Sequence, residues 1–457
     1  MKEAFATEAR CAALLRGVAW PGRPFLIDGL SHAQLHRQAG RLYHFFQRTG
    51  QKAPICLASD DKPVCAAALL AALAGGPPLF LPYALSPQAL SALQAAGGCI
   101  QALCTPELEL PKGMQRLPLP EELGEDENPL PAIPAQGPIL HLFTGGSTGA
   151  PQLWSKTAAN LFGEALFIAS HHGITAEDRI AASILPYHIY GLLYSVLLPL
   201  VSGAAVLAES PSFPEEMVAA VRGRDISILI SVPAHYRALA GRSCAPSALR
   251  LAFSSAGMLD AADNQAFCQA NQVGVVEVYG STETGGIACR NRFLGEEDFT
   301  ILPPIAWRQS PEERLMLRSP FLSPELALDQ EGFFHAADRI APKSGNSFSL
   351  LGRADLVVKV GGKRVDLETV RLLLHNQPGV REALVLALPT DDGRENRIAA
   401  VVTPISGQRL DTEALRHALA RHLEPYALPR ILKVVERIPV RANGKYDREA
   451  TIALVRG

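Results

Sequence analysis

Short apolar segments alternate with helix-forming segments along the N-terminal half of the chain, and this alternation constrains the fold most strongly. Ile55-Cys56-Leu57-Ala58 and Leu79-Phe80-Leu81 are runs typical of short buried strands. Between them, residues 65–74 are rich in alanine and leucine and predict a buried helix. Strands that alternate with helices are usually parallel, because each crossover needs a long connection. The pattern therefore predicts an α/β fold with mainly parallel sheets.

Length and charge narrow the class of protein. The chain has 457 residues, more than one hydrophobic core ordinarily serves, so we expect two or more domains. Hydrophobic residues make up 48% and charged residues 19%, a composition typical of globular proteins. The formal net charge of −2 gives no basic excess, so we do not expect nucleic acid binding. An anionic substrate would have to be held by local groups.

Cysteine spacing and hydropathy indicate the cellular compartment of the protein and whether it spans a membrane. The eight cysteines include no Cys-x-x-Cys pair, and we expect reduced thiols in a cytoplasmic protein. The N-terminal residues, with an acid at Glu3, are not typical of a signal peptide. Residues 180–208 lack Asp, Glu, Lys and Arg, but Pro186 and Pro199 interrupt them. We therefore predict a buried helix followed by a strand there, and no membrane span.

A glycine-rich segment follows a predicted strand at residues 139–143. It reads Thr144-Gly145-Gly146-Ser147-Thr148-Gly149-Ala150-Pro151. Glycines allow tight turns whose N–H groups can face an anion, and hydroxyls add donors, so the chemistry indicated is phosphate binding. Because no Lys-Ser/Thr pair follows Gly149, this is not the loop of common NTPases. The residues alone leave a phosphate-binding loop and a plain turn as alternatives.

Five further segments follow in order and extend the pattern. They are Pro-Tyr-His-Ile-Tyr-Gly at 186–191, Val-Tyr-Gly-Ser-Thr-Glu at 278–283, Gly-Phe-Phe-His-Ala-Ala-Asp at 332–338, Gly-Arg-Ala-Asp with its following hairpin at 352–362, and Pro-Val-Arg-Ala-Asn-Gly-Lys at 439–445. Together with the glycine-rich segment they resemble the motifs of the adenylate-forming superfamily. That superfamily includes acyl- and aryl-CoA ligases, peptide-synthetase adenylation domains and luciferase. The chain also looks similar to the stand-alone hydroxybenzoate ligases of polyene pigment pathways.

The resemblance implies an ATP site with Mg²⁺. Tyr279 would stack on adenine, Thr282 would hold the α-phosphate, and Glu283 would bind the metal. The implied nucleotide-binding residues are Thr144, Gly145, Gly146, Ser147, Thr148, Gly149, Lys156, Tyr279, Gly280, Thr282, Asp338 and Arg353. Gln152 stands where the family usually has Lys. Lys156 is the candidate to supply that charge, and a solvated surface lysine is the alternative.

The resemblance also implies an acid pocket and a path for a thiol. Lys445 would be the catalytic lysine, and His188 would lie between the acid and the thiol. The implied pocket residues are His188, Tyr190, Ala256, Gly257 and Gly280, with Pro233, His235 and Ser255 as further wall residues. Asp355 would be a hinge, and Lys359, Gly361 and Gly362 would line the thiol path. The implied domains are a large one at 1–352 and a small, mobile α+β one at 353–457.

The implied reaction has two steps. A carboxylic acid, with a small aromatic acid favoured, reacts with ATP to give acyl-AMP and pyrophosphate. The acyl group then passes to a pantetheine thiol, of either coenzyme A or an acyl carrier protein. Two alternatives give other outcomes: oxygenation of the adenylate, as in luciferase, and a nucleotide-binding protein without catalysis. Gln152, Ala336 and Ala337, which depart from the family pattern, favour the last of these, whereas the retained charged motif residues oppose it.

Overall fold

The computed structural model describes most of the chain, in seven ranges. These are residues 2–17, 20–124, 128–144, 152–360, 363–389, 396–440 and 446–456. Contacts divide the protein into two compact units. The larger comprises residues 1–305 and 318–327, and the smaller comprises 306–317 and 328–457. The hinge near Asp355 and the division at 352/353 implied by the resemblance remain predictions about where the chain bends.

The first sheet of the larger unit has the strand order β4-β3-β1-β2-β5-β6. All neighbours are parallel except the antiparallel pair β5–β6. The predicted strands at residues 55–58 and 79–81 are therefore confirmed as central strands of this sheet. The bounds are β1 Ile55–Leu57, β2 Leu79–Leu81, β3 Gln101–Leu103, β4 Gln115–Leu117, β5 Pro138–Thr144 and β6 Gln152–Thr157.

The larger unit contains a second series of strands in the order β8-β7-β9-β10-β11-β12-β13. Strands β7 to β11 are parallel, whereas β12 and β13 are antiparallel to their neighbours. The bounds are β7 Arg179–Ala182, β8 Ala205–Val206, β9 Ile228–Ser231, β10 Leu251–Ser254, β11 Val275–Ser281, β12 Gly285–Arg290 and β13 Phe299–Ile301. Most of the neighbouring pairs in this series are thus parallel, as the sequence predicts.

Helices connect these strands, and their starts follow from local capping. The Ser31 hydroxyl caps α2 and forms a reciprocal capping box with Gln34. The Asp61 carboxylate caps α3, whose residues from Val64 onward are all buried. The bounds are α1 Lys2–Arg16, α2 His32–Thr49, α3 Lys62–Leu73, α4 Pro87–Gly97, α5 Ala158–His171, α6 Ile189–Leu192, α7 Leu198–Ser202, α8 Pro214–Gly223, α9 Pro233–Ala238 and α10 Ala261–Asn271.

The uncharged stretch at 180–208 is part of this larger unit. It begins in β7, which the sequence-based prediction of a helix followed by a strand omits. It continues through α6, a π-helical segment at Leu193–Leu197 and α7, and it ends in the buried strand β8. Within the described residues, no helix is both long enough and apolar enough to cross a bilayer. All eight cysteines are described, and all are free thiols, seven of them buried.

The smaller unit combines strands and helices, as expected for an α+β unit. Four strands lie in the order β14-β15-β16-β17, a hairpin pairs β18 with β19, and a three-stranded sheet has the order β20-β21-β22. The strand bounds are β14 Ala306–Gln309, β15 Arg314–Arg318, β16 Phe334–Pro342, β17 Ser347–Arg353, β18 Val357–Val360, β19 Lys363–Asp366, β20 Val380–Pro389, β21 Asn396–Pro404 and β22 Ile431–Val434. The helices are α11 Leu367–His375, α12 Thr412–Ala420 and α13 Arg448–Arg456.

Candidate active site

The parallel strands of the second sheet end at one edge, and four polar side chains lie at or next to those ends. Strands β7, β9, β10 and β11 are neighbours in this sheet. Because the carboxyl ends of parallel strands meet at the same edge, the side chains that follow them converge there. We call this the carboxyl edge. It brings Ser183, Ser231, Ser255 and Tyr279 to one side of the larger unit.

The turn that follows Tyr279 is tightly built. The pairing of β11 with β12 shifts register between Tyr279 and Gly280. A Cβ atom on Gly280 would lie 2.3 Å from the main-chain oxygen of Gly285, so a glycine is required here. Ser281 and Thr284 close the turn, since their hydroxyl oxygens are 2.8 Å apart. The Tyr-Gly-x-Thr-Glu string, with Thr284 and Gly285 after it, therefore forms one defined turn between β11 and β12.

Gly280→Ala is expected to destabilise the larger unit by about 1–3 kcal/mol, because the new methyl group meets main-chain atoms that cannot rotate away. ATP affinity should fall with it, since the same turn carries the proposed adenine and metal contacts. Urea unfolding and nucleotide titration measure the two effects. Gly223→Ala is the matched control, because no atom lies within 4 Å of a Cβ placed there. Equal behaviour of the two variants would contradict the requirement for glycine.

Glu283 lies on this turn, and its main chain is anchored while its carboxylate is available. The main-chain oxygen of Glu283 accepts a hydrogen bond of 2.8 Å from the N–H of Ser323. Among the described residues, the Glu283 carboxylate accepts no hydrogen bond and forms no ion pair. A free carboxylate on a fixed turn fits a Mg²⁺ ion, which prefers oxygen ligands. No cluster of three or more His, Cys, Asp or Glu side chains in the described ranges could hold a metal. Mg²⁺ is commonly held by one or two carboxylates together with water and the phosphates of a substrate.

The glycine-rich segment begins at Thr144, the last residue of β5. Thr144 pairs with Gln152 across β5 and β6, and its hydroxyl donates to the main-chain oxygen of Gln152 at 3.2 Å. Gln152, which replaces the usual lysine, thus helps to close the base of the segment. Gly145, Gly146, Ser147, Thr148 and Gly149 lie outside the described residues, and their phosphate-binding role stays a prediction.

Lys156 is not a surface residue. It lies in β6 with 1% of its surface exposed, so the solvated-lysine alternative is wrong. Its ammonium donates to the main-chain oxygens of Phe321 at 3.0 Å and Glu283 at 3.5 Å. Burial lowers the pKa of Lys156, whereas the nearby carboxylates of Glu164, Glu283 and Glu325 oppose that shift. Lys156 therefore lies beneath the metal-binding candidate, bonded to protein oxygens.

A hydrogen-bonded cluster of polar side chains lies at the ends of β7 and β9. The Ser183 hydroxyl is 2.7 Å from the Ser231 hydroxyl and 2.8 Å from Nδ1 of His235. The Tyr190 hydroxyl donates to the main-chain oxygen of Ser231 at 3.2 Å. Burial lowers the pKa of His235, so the neutral imidazole is favoured near pH 7. We call Ser183, Tyr190, Ser231 and His235 the polar cluster.

The turn after β10 connects this cluster to β11. The Ser255 hydroxyl donates to the main-chain oxygen of Val278 at 2.9 Å. Ala256 adopts a left-handed conformation with φ of 68°, which is uncommon for a residue other than glycine and is often found at functional sites. A Cβ on Gly257 would lie 3.6 Å from the ring of Pro233, the first residue of α9. Tyr190, Ala256 and Gly257, all predicted pocket residues, are therefore brought to the same edge.

His188 lies at the start of the same region. It is the residue before α6, and its ring packs against Tyr187 with centroids 4.7 Å apart. Tyr190 follows in the first turn of α6. The Pro-Tyr-His-Ile-Tyr-Gly segment at 186–191 therefore forms the start of this helix, and its Tyr190 hydroxyl contacts the polar cluster at Ser231.

The two ribose candidates lie in the smaller unit and face each other across a strand pair. Asp338 in β16 is the register partner of Arg353 in β17. The Arg353 guanidinium makes two bonds to the Asp355 carboxylate, of 2.9 and 2.6 Å, and this contact lowers the pKa of Asp355. Ala336 and Ala337, which depart from the family pattern, lie within the continuous strand β16 and leave Asp338 in register. The predicted hinge residue is thus held locally by the predicted nucleotide contact.

The remaining predicted residues of the smaller unit are mostly not described. Lys359 lies on β18 opposite Arg364, with its side chain exposed. Gly361 and Gly362, predicted for the thiol path, and the catalytic candidate Lys445 lie outside the described residues. Their roles remain predictions from the resemblance.

Two buried glutamates near these residues, Glu164 and Glu277, do not belong to any of the sequence motifs. Glu164 of α5 is buried, and its carboxylate accepts a 2.6 Å hydrogen bond from the N–H of Gly286. Glu277 of β11 is buried between the guanidinium groups of Arg290 and Arg292, at 2.9 Å from each. A buried acid within an apolar helix, and an acid two residues before Tyr279, were the only sequence signals for these groups.

Comparisons with known proteins agree with this architecture. Residues 16–308 match the model of the AMP-binding enzyme family, and residues 373–445 match that of the AMP-binding enzyme C-terminal domain. A feruloyl-CoA synthase of an Amycolatopsis species is 24% identical over 455 residues, covering 91% of this chain and 92% of that protein. A p-hydroxybenzoic acid–AMP ligase of Mycobacterium tuberculosis is 27% identical over 473 residues, covering 94% of this chain and 66% of that one.

Solved structures show the same fold. The ATP-bound MatB of Rhodopseudomonas palustris superposes with a TM-score of 0.83 at 19% identity, covering 98% of both chains. A benzoate CoA ligase of Burkholderia xenovorans gives a TM-score of 0.78 at 20% identity, covering 97% of this chain and 99% of that one. The family match spans most of the larger unit and the order of motifs runs through both units, and the chain accordingly belongs to the AMP-binding enzyme family, whose members include the AMP-forming acyl- and aryl-CoA ligases.

Proposed function

We propose that this protein is an ATP-dependent ligase that joins a small aromatic carboxylic acid, most simply a ring-hydroxylated one, to a pantetheine thiol. The observation that carries the substrate class is the polar cluster at the carboxyl edge. A long aliphatic acid would need an apolar tunnel, whereas this edge presents an imidazole, hydroxyls and a tyrosine. Membership of the family supports the reaction type, and the relatives named for feruloyl and p-hydroxybenzoic acid support the substrate class.

The polar cluster offers one group suited to a ring hydroxyl. Nδ1 of His235 is engaged by Ser183, which leaves Nε2 with no hydrogen-bond partner among the described residues. The Ser183–Ser231 contact fixes that orientation of the imidazole. A substrate hydroxyl could donate to Nε2 or accept from it, depending on the tautomer. A site that pairs with a hydroxyl discriminates against acids that lack one, because the imidazole is otherwise left unpaired.

Adenylation is opposed by charge, because a carboxylate must attack a triphosphate. The chain's own contributions would be to bring the two anions together and to neutralise them. We propose that Thr144, residues 145–149 and Thr282 hold the phosphates, that Tyr279 and Gly280 hold the base, and that Asp338 and Arg353 hold the ribose. When bound, Mg²⁺ would be held by Glu283 and would neutralise phosphate charge. Lys445 would place an ammonium between the carboxylate and phosphate oxygens.

Transfer of the acyl group to the thiol depends on the adenylate, because AMP is a good leaving group. The thiol sulfur forms a bond to the acyl carbon, the carbon–oxygen bond to AMP breaks, and the thiol proton is lost to a base. His188 is the proposed neighbour of the reacting carbon, and Lys359, Gly361 and Gly362 are proposed to line the thiol path. Movement of the smaller unit about Asp355 would exchange Lys445 for that path.

The acceptor has two candidates, coenzyme A and the phosphopantetheine arm of an acyl carrier protein. Charge suits either acceptor. Residues 353–457 hold 18 basic and 13 acidic side chains, although the whole chain holds 43 and 45. A basic excess in this part of the chain would speed association with an anionic acceptor, and both the phosphates of coenzyme A and an acidic carrier domain are anionic.

The proposal is tested by pyrophosphate release and product analysis with benzoic, hydroxybenzoic, hydroxycinnamic, short-chain and long-chain acids. Each acid is supplied with MgATP and either no thiol, coenzyme A or a holo carrier protein. We expect the hydroxylated aromatic acids to give the highest kcat/KM, and the preferred thiol to appear as the thioester. Higher kcat/KM with a long-chain acid would contradict the substrate class, and oxygen uptake in place of a thioester would indicate the luciferase-like alternative.

His235→Leu should lower kcat/KM for the best hydroxylated acid about tenfold, because one hydrogen bond to the ring hydroxyl is lost. Activity toward unsubstituted benzoic acid should change less. Because burial lowers the pKa of His235, the imidazole stays neutral at and above pH 7, and the discrimination should not change between about pH 7 and pH 8, where a phenol is still protonated. His36→Leu is the matched control, since His36 is also partly buried with a lowered pKa but bonds to Leu14 in α1. An equal loss with both acids would contradict hydroxyl recognition.

A further inference from the structure

The turn that carries Glu283 rests on two buried, oppositely charged side chains that no motif includes. Lys156 of β6 and Glu164 of α5 are 1% and 4% exposed, respectively. Ionisable groups are seldom placed so deeply unless they are paired and hydrogen-bonded, because burial of a lone charge is costly. Both side chains contact the main chain of the same short segment, residues 283–286.

Lys156 holds the first residue of that segment. Its ammonium donates to the main-chain oxygen of Phe321 at 3.0 Å and lies 3.5 Å from the main-chain oxygen of Glu283. The Ser323 N–H donates to the same Glu283 oxygen at 2.8 Å. Two donors therefore converge on the carbonyl of the residue whose carboxylate is the metal candidate, and Lys156 also ties that carbonyl to the chain at Phe321.

Glu164 holds the other end of the segment. One of its carboxylate oxygens accepts a 2.6 Å hydrogen bond from the N–H of Gly286. The second oxygen would lie 2.7 Å from a Cβ on Gly285, which has a left-handed φ of 69°. The carboxylate is therefore packed directly against both glycines. The segment is thus bonded at its beginning to a cation and at its end to an anion.

Each of the two groups favours the charged form of the other. Burial raises the pKa of Glu164, whereas the Lys156 ammonium and the Gly286 N–H oppose that rise. Burial lowers the pKa of Lys156, and Glu164 is the first of the carboxylates that oppose it. Removing one group would therefore take away an interaction that favours the charged form of the other.

We propose that Lys156 and Glu164 are positioning residues that fix the Glu283–Gly286 turn, so that the Glu283 carboxylate is held in place for Mg²⁺ on ATP. The inference rests on the proposed function of Glu283. It replaces a direct contact of Lys156 with the triphosphate, because the ammonium is enclosed and directed at protein oxygens. Outer groups that orient a metal-binding carboxylate commonly change metal affinity by about 10–100-fold when removed.

The experiment compares Lys156→Met with Lys62→Met. Lys62 is an equally buried lysine of the larger unit that donates to the main-chain oxygens of Ala208 and Glu209 and to the Ser210 hydroxyl. Both substitutions remove a buried ammonium bonded to oxygens, but only one of them lies beneath Glu283. The double variant Lys156→Met/Glu164→Gln removes both charges and serves if the single variant fails to fold.

Three measurements are made on each full-length protein. These are ATP affinity by calorimetry as a function of Mg²⁺ concentration, hydrogen exchange of the Gly286 amide, and acid-dependent pyrophosphate exchange. In Lys156→Met or the double variant, we expect the Mg²⁺ concentration for half-maximal enhancement of ATP binding to rise at least tenfold and the Gly286 amide to exchange faster. ATP binding without Mg²⁺ should be unchanged. Lys62→Met should lose stability but keep the wild-type Mg²⁺ dependence.

A wild-type Mg²⁺ dependence in Lys156→Met and in the double variant would overturn the proposal, as would an equal shift in Lys62→Met. Loss of ATP binding in the absence of Mg²⁺ would assign Lys156 to the triphosphate and would overturn it too. Failure of the proposed function is distinguishable, because it would remove pyrophosphate exchange from the wild type while the calorimetric and hydrogen-exchange comparisons remain readable.

Discussion

Lys445→Ala should lower the rate of acid-dependent pyrophosphate exchange by about 10²–10³, the cost of removing one charged group from a water-poor site where charge develops. The lysine is identified by the Pro-Val-Arg-Ala-Asn-Gly-Lys string at 439–445, and the C-terminal family model matches through that residue. Its proposed task, bridging carboxylate and phosphate oxygens, is needed only while the acyl–phosphate bond forms.

The same variant should still convert a chemically prepared acyl-adenylate and a thiol to the thioester at close to the wild-type rate. Stopped assays of the two half-reactions separate these effects. Lys433→Ala is a suitable control, because Lys433 is another lysine of the smaller unit, and its ammonium donates to the main-chain oxygen of Leu454. Normal pyrophosphate exchange in Lys445→Ala, or equal loss of both half-reactions, would contradict the assigned role.

Glu277→Gln should lower the free energy of unfolding of the larger unit by about 3–5 kcal/mol, the usual cost of breaking a buried ion pair on one side. The carboxylate lies 2.9 Å from both Arg290 and Arg292, and it also accepts from the amide of Asn264 at 3.2 Å. A neutral amide cannot compensate two buried guanidinium groups. This triad fixes the strand that leads into Tyr279.

Urea unfolding followed by circular dichroism measures this loss. The matched control is Glu297→Gln, because Glu297 also pairs with Arg292 but at 3.6 Å and with its side chain 76% exposed. Exposed pairs contribute little, so the control should stay within about 0.5 kcal/mol of the wild type. If the two substitutions have the same effect, the triad is not the stabilising element inferred here.

Local patterns predicted much of the fold. The strands at 55–58 and 79–81 are short apolar runs, and the helix-forming residues between them indicate that they are parallel. In the structure Ser31 and Asp411, both residue types that favour helix starts, cap the helices immediately after them. Capping and alternation depend on neighbouring residues only, so a sequence displays them. The Tyr-Gly-x-Thr-Glu string likewise belongs to a local turn, since Gly280 and Ser281 contact Gly285 and Thr284, which follow directly after it.

Tertiary contacts set the remaining features, and these could not be read locally. Gln152 and Leu153 at the start of β6 are exposed, whereas the burial of Lys156 depends on the chain at Phe321, far along the sequence. The polar cluster joins Ser183 to His235, 52 residues apart, through the adjacency of β7 and β9. The apolar sequence of α5 predicts a buried helix, but it does not indicate that Glu164 accepts a hydrogen bond from Gly286.

The retained motif residues argue against the alternative of a nucleotide-binding protein without catalysis, which the departures from the family pattern favour. Gln152 closes the base of the glycine-rich segment through its main chain, and Ala336 and Ala337 continue β16 without displacing Asp338 from its register with Arg353. A substitution that preserves the main-chain path leaves the position of Asp338 in β16 unchanged.

Direct detection of the acyl-adenylate tests whether the protein activates a carboxylic acid with ATP. The protein would be mixed with MgATP and a hydroxylated aromatic acid in the absence of any thiol, quenched, and analysed by mass spectrometry for acyl-AMP, AMP and ADP. We predict one acyl-AMP per protein molecule, which disappears with release of AMP and formation of the thioester once a pantetheine thiol is added. Acid-dependent formation of ADP, or binding of ATP without an acyl-adenylate from any acid of the panel, would show that the protein does not form an acyl-adenylate.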